Sequence, residues 1–409
     1  MDKQKNNLQR ISPECLVACL YFACLPLTIV ETPFGSFLKL ITMPSAALLG
    51  VRLLMGKSRL SLNYVQLLYG LYVLYTVGQL MMYSTPIAVT NTVEMVFALL
   101  MLVLLCARVY IEREKDLIEW AWIIVGIFCV FTALTSKEHI SLSEERAVIK
   151  IFGFEEDQNQ FCAYFIFPFI ISIKRIVEKR KFFPLYGVFI VLMIYSVFKT
   201  GSRGGLLGIL LGAFAYILFG VKSFKAKVGV CISAVLIGCI TIVFVMPNVP
   251  ESVRSRYSIE QVEDDGGSGR AEIWGILLGY TLERPERIIR GSGLLSTFDI
   301  LTERPNKHGN LGAHNSYIQI FTDQGLLGLM LFMLLCAACV IRPRNYDITY
   351  SCAFIAIMVF SLTLSFYVFK PYINIMIMCA MSFEGHMPED ILKANQSEKG
   401  VSIDGTSHK

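Results

Sequence analysis

Three polar clusters interrupt an otherwise apolar chain, and each holds a residue type that can act on an anion or a proton. The first is Lys199-Thr200-Gly201-Ser202-Arg203-Gly204-Gly205, whose glycines permit close backbone approach and whose Arg203 opens the next helix. The second is the segment 247–313, which carries Arg254, Arg256, Arg270, Arg284, Arg287, Arg290 and Arg304 against the single lysine Lys307. A guanidinium is a planar five-donor fork that grips phosphate bidentately and also pairs with carboxylates. Ten acids accompany these bases, so a solvated loop of ion pairs is the alternative reading. The third cluster is Ala313-His314-Asn315-Ser316-Tyr317. Of His139, His308, His314, His386 and His408, only His314 stands at a helix start beside a polar cluster, where an imidazole accepts a proton near neutral pH. His308 is a second candidate. A helix-capping histidine and a tight turn with interface-anchoring bases are the structural alternatives for the third and first clusters. A nucleotide phosphate loop does not fit, because the Gly-x-x-x-x-Gly-Lys-Ser/Thr spacing is missing. Glu263, Asp264 and Asp265 could hold a hard cation, yet an acidic run beside Gly266, Gly267 and Gly269 reads first as solvated, and no metal or other cofactor is expected.

The elements that position these clusters are membrane helices. Of 409 residues, 55% are hydrophobic and 17% charged, more apolar surface than one ordinary soluble core can use. Apolar runs predict twelve spans near 14–30, 34–55, 62–83, 87–107, 117–135, 160–173, 182–199, 204–220, 228–246, 314–341, 348–369 and 371–383, each sized against about 30 Å of hydrocarbon. The expectation is an all-α polytopic membrane protein: one transmembrane domain over 1–383, a large loop at 247–313 between the ninth and tenth spans, and a disordered polar tail over 384–409. Lys3, Lys5 and Arg10 before the first apolar run read as the flank of a retained first helix. With both termini cytoplasmic, the inner segments hold 22 Lys and Arg and the short outer ones 7, which puts the long loop and all three clusters outside. Within the loop, Ile273 to Leu282 is apolar but too short to span and predicts an interfacial or re-entrant helix with Arg270 at its start. The twelve cysteines fall in or beside apolar runs, so no disulfide framework is implied, and Cys336-x-x-Cys339 reads as packing.

The order Thr200-Gly201-Ser202-Arg203-Gly204-Gly205, Gly269-Arg270-Ala271-Glu272-Ile273-Trp274, Gly291-Ser292-Gly293, Ala313-His314-Asn315-Ser316-Tyr317 and Asp323-Gln324-Gly325-Leu326-Leu327-Gly328 resembles the O-antigen ligase and polymerase superfamily of membrane glycosyltransferases. Asp157-Gln158-Asn159 resembles a further family element, and Asp323 stands where the family often has glutamate. The resemblance covers about residues 157–341 and implies a GT-C-like helical fold and a polyprenyl-diphosphate-linked oligosaccharide donor. It also implies a glycan acceptor and inverting, metal-independent transfer in the bacterial cytoplasmic membrane. A flippase and a chain-length regulator are the expected protein partners, and no nucleic acid is. Matched by motif, Arg203 and Arg270 would hold the diphosphate and His314 would assist the acceptor hydroxyl; Arg256, Arg290, Asn315 and His308 are further binding candidates. Polymerase, ligase and a non-enzymatic flippase are the competing roles, with repeat-unit polymerase preferred.

Overall fold

The computed structural model describes residues 11–33, 35–136, 149–240, 243, 247, 254, 269–306, 312–365 and 370–384. They fold mainly as helices: α1 (Pro13–Ala23), α2 (Phe37–Leu54), α3 (Tyr64–Leu80), α4 (Pro86–Leu105), α5 (Glu112–Thr135), α6 (Gln158–Val177), α7 (Phe183–Thr200), α8 (Arg203–Ala215) and α9 (Phe224–Ile240). After these come α10 (Arg270–Leu282), α11 (Pro285–Arg290), α12 (Thr297–Glu303), α13 (Ser316–Ile341), α14 (Ile348–Phe360) and α15 (Lys370–Ala380). Each of the twelve candidate spans overlaps a helix. Seven, including α2, α4, α5, α6 and α7, are long and apolar enough to cross a membrane, and the protein is a polytopic membrane protein. The span expected at 14–30 is divided: α1 stops at Ala23 and a 3-10 turn, Leu25–Ile29, follows with Pro26 inside it.

Capping residues set the helix starts. Asn63 and Gln66 close a reciprocal capping box on α3, and Asp157 accepts from Gln160 N at 2.9 Å to begin α6. Helix α6 is the central column, with 83% of its apolar window buried against 17% for α2, so α6 faces protein and α2 faces outward. Rings lace α1, α5, α6 and α14 together: Phe22 lies 5.4 Å from Trp122, Trp122 4.8 Å from Phe167, and Phe167 5.5 Å from Tyr350. Three short strand pairs accompany the helices. β4 (Ile149–Ile151) and β5 (Phe154–Glu156) form a hairpin with Ile149 opposite Glu156. β3 (Val109–Tyr110) runs parallel to β6 (Ser382–Phe383), and β1 (Glu31–Thr32) pairs with β2 (Gly35–Ser36). The expected tail lies almost wholly outside the described residues.

Candidate active site

The turn between α7 and α8 is built for close packing. Thr200 and Ser202 are buried, Ser202 accepts from Gly205 N at 3.1 Å, and the Thr200 hydroxyl meets Cys162 of α6 at 3.2 Å. A Cβ on Gly204 would stand 2.2 Å from Thr363 Oγ1, so only glycine fits against the segment that follows α14. Arg203, beside it, is the first residue of α8 and is partly exposed. Lys199 donates to Ala133 O and Ser136 O at 3.0 and 2.9 Å, which caps α5 and gives this base a structural task.

The third cluster docks on the same segment from the other side. Ser316 N donates to Ser361 O at 2.8 Å, Ser316 Oγ to Leu364 O at 2.8 Å, and the Tyr317 hydroxyl to Met358 O at 2.8 Å. Asn315 caps α13 by accepting from Tyr317 N and Ile318 N, while its amide donates to Leu362 O at 3.2 Å. Its side chain, proposed from sequence as a ligand contact, is engaged with protein at both ends. His314 has φ of +49°, a conformation uncommon for a residue with a Cβ, and is partly exposed. The residues 358–364 are therefore a shared ledge that meets both the turn at Gly204 and the helix start at 315–317.

Helix α10, which begins at Arg270, docks beside His314. Trp274, one turn along on the same face, donates from Nε1 to Ala313 O at 2.9 Å, next to His314. Ile273 and Leu277 form a small core with Ile300, Leu301 and Ala313, and Thr281 reaches Thr322 at 3.3 Å. Ile273 and Leu277 face protein, Leu282 is exposed, and α10 runs beside the first turns of α13.

The loop's guanidinium bias divides into two uses. Arg287 and Arg304 lie 3.7 and 4.9 Å from the Tyr280 ring centre, and both pair with Glu283, at 3.2 and 2.6 Å. Their ionic contacts hold Glu283 below the usual carboxylate range, Arg304 contributing first. Arg290 is exposed and sits lower, where its carbonyl meets α3. Arg256, His308 and the run Glu263, Asp264 and Asp265 lie outside the described residues.

Sequence reasoning treated α3 as a plain span and passed over its role here. Tyr75 donates to Gln324 O at 2.7 Å, Gln79 to Arg290 O at 2.8 Å, and the Tyr83 hydroxyl to the Asp299 carboxylate. The signal was available as polar side chains at 75, 76, 79 and 83 in an apolar run. Glu156, at the end of β5, was also missed. It is buried, and burial first and Asp157 second push its carboxyl up to about 7.

The segment 358–364 thus joins the first and third clusters, and Trp274 ties the helix of Arg270 to the third. Comparison with curated proteins returns no match. Residues 188–333 match the family model described as O-antigen ligase, a stretch that contains Arg203, Arg270, Arg290, His314 and Asn315.

Proposed function

We propose that this protein is a glycosyltransferase that joins repeat units of a surface polysaccharide from polyprenyl-diphosphate-linked glycan at the outer face of the bacterial cytoplasmic membrane. The observation that carries the reading is the segment 358–364, against which Gly204 beside Arg203 packs and to which the helix start after His314 bonds, together with the Trp274 bond that ties the Arg270 helix to Ala313, next to His314. The acceptor hydroxyl attacks the anomeric carbon, its proton passes to the His314 imidazole, and the bond from that carbon to the diphosphate oxygen breaks. Charge grows on the departing diphosphate, where Arg203 and Arg270 meet it without a metal. One displacement inverts the anomeric centre. The outward placement rests on the excess of Lys and Arg in the segments at the opposite end.

Arg203→Ala, Arg270→Ala and His314→Ala are each expected to lower glycan transfer by roughly 100-fold or more while the protein still reaches the membrane. Full activity in all three variants would sink the assignment, and transfer that stops in a chelator would put a metal in the arginines' place. A second reading, transfer of finished glycan to a lipid or other acceptor, is favoured by the description of the matching family model as a ligase. A deletion strain separates the two: short lipid-linked chains accumulate if a polymerase is lost, and long chains remain on the carrier if a ligase is lost.

A further inference from the structure

The described part of the loop is braced on a buried carboxylate. Asp323 is 0% exposed and lies seven residues into α13, about 10 Å along the helix from Ser316. Its carboxylate accepts from Leu295 N at 3.1 Å, Ser296 Oγ at 3.2 Å, Thr297 N at 2.9 Å and Thr297 Oγ1 at 2.7 Å, capping α12 from another helix. Its carbonyl accepts from Gly293 N at 2.7 Å, and Thr322 O accepts from Ser292 N at 3.0 Å. At Gly325 the chain turns to φ of +66°, and a Cβ there would stand 2.4 Å from Gly291 N, so two backbones touch. From the other side, Tyr75 and Gln79 hold Arg290 O at 3.3 and 2.8 Å. The peptide of an exposed arginine is therefore fixed by helices on both sides, well below the level of His314. A surface loop does not need such fixing; a phosphate contact at a set depth does.

We infer that Asp323 is a positioning residue for donor binding: through the 290–297 turn it sets Arg290 on the lipid side of the site, where Arg290 takes the phosphate next to the polyprenyl chain. This rests on the glycosyltransferase reading and deepens it. Arg203 and Arg270 meet the phosphate nearer the sugar, and Arg290 meets the other. A polyprenyl monophosphate carries only the lipid-side group, so it reports on Arg290 separately from the upper arginines.

The test is equilibrium binding of polyprenyl monophosphate to the full-length protein in detergent. Arg290→Ala and Asp323→Asn are each expected to weaken it about tenfold, the double variant no further, and Arg270→Ala hardly at all. Asp323→Glu should recover part of the loss, a rescue that simple loss of fold would not show. Should Asp323→Asn not fold, Tyr75→Phe removes one hydroxyl from Arg290 O and should weaken binding about two- to threefold. Wild-type affinity in both Asp323→Asn and Tyr75→Phe overturns the inference, as does a double variant whose loss is the product of the single losses. A wild-type protein that binds neither the monophosphate nor the diphosphate overturns the functional reading and the inference with it, whereas diphosphate binding that survives Arg290→Ala and Asp323→Asn undiminished overturns the inference alone.

Discussion

The two ends of the helix bundle use charge in opposite ways. At the end away from His314, Lys174 Nζ lies 2.7 Å from both Glu119 and Asp347, Lys115 lies 2.9 Å from Asp347, and Arg175 lies 3.1 Å from Asp116 with its guanidinium 4.6 Å from the Trp120 ring. Burial would raise the Asp347 carboxyl, but Lys174 and then Lys115 outweigh it and hold the group well below the ordinary range. Lys115, Lys174 and Arg175 each have an anion beside them, and the network joins α5, α6 and α14. At the His314 end, backbone carbonyls and hydroxyls tie the elements together, while Arg203, Arg270 and His314 stand partly exposed at the edges of the ties. Buried ion pairs tie the helices at one end, whereas at the other the ties beside Arg203, Arg270 and His314 are made by neutral groups.

The sharpest way to break this comparison is a crossed pair of variants. Arg270→Ala should lose roughly 100-fold or more in transfer with little change in thermal stability. Asp347→Ala should do the reverse, because it removes the anion that Lys174 and Lys115 share, leaving Lys174 with Glu119 alone, and costs about 3–5 kcal/mol of stability while the folded molecules keep their turnover. Transfer per folded protein and unfolding in detergent measure the two. If Asp347→Ala loses turnover as steeply as Arg270→Ala, the far end is part of the mechanism and the comparison fails.

Gly204→Ala sharpens the same contrast from the ledge. The added methyl would meet Thr363, so the turn must move. A loss of stability of about 1–3 kcal/mol is expected together with a drop in transfer of roughly tenfold, since the displaced turn carries Arg203. Transfer at the wild-type rate would show that the ledge does not set Arg203.

A smaller effect is expected at Glu156, a carboxyl buried at the end of β5. Its folded carboxyl titrates near 7 and its unfolded one near the ordinary 4.5. Below 4.5 both states are protonated and the group contributes nothing; as pH rises toward 7 the unfolded state alone ionises, so stability falls. Glu156→Gln should raise the melting temperature by a few degrees at pH 8 and leave it unchanged near pH 4.5, as thermal unfolding at the two values will show. An equal shift at both would mean that the carboxyl is not what the burial acts on.

How much of this was legible in the sequence follows from which forces set each part. The helices were legible because long apolar runs have few other folds in a membrane, and α6 and α13 fall where the runs do. Arg203, Arg270 and His314 stand out as candidates because glycine, arginine and histidine contrast locally with apolar neighbours. The ledge 358–364 was not legible, since its contribution is made by backbone carbonyls that any residue supplies. Nor was the run Ile273 to Leu282, where periodicity says that one face is apolar but not whether lipid or α13 covers it. Asn315 shows the same limit: a polar residue at a helix start reads as a ligand contact or as a cap, and only the three-dimensional partners Tyr317 N, Ile318 N and Leu362 O supply the capping role.

The weakest expected effect belongs to the arginines that the loop keeps for itself. Arg287 and Arg304 cover the Tyr280 ring and share Glu283, and the group ties α10, α11 and α12 at an exposed surface. Exposed pairs gain little because water competes for both partners and salt screens them. Arg304→Ala should therefore leave transfer within about twofold of wild type and the melting temperature nearly unchanged. This variant calibrates the others, since it removes a guanidinium from the same loop with the same change of net charge as Arg270→Ala. If Arg304→Ala were as inactive as Arg270→Ala, the loss in the latter would reflect the overall charge of the loop rather than a place in the site. The contrast between the ends would then reduce to a difference in net charge.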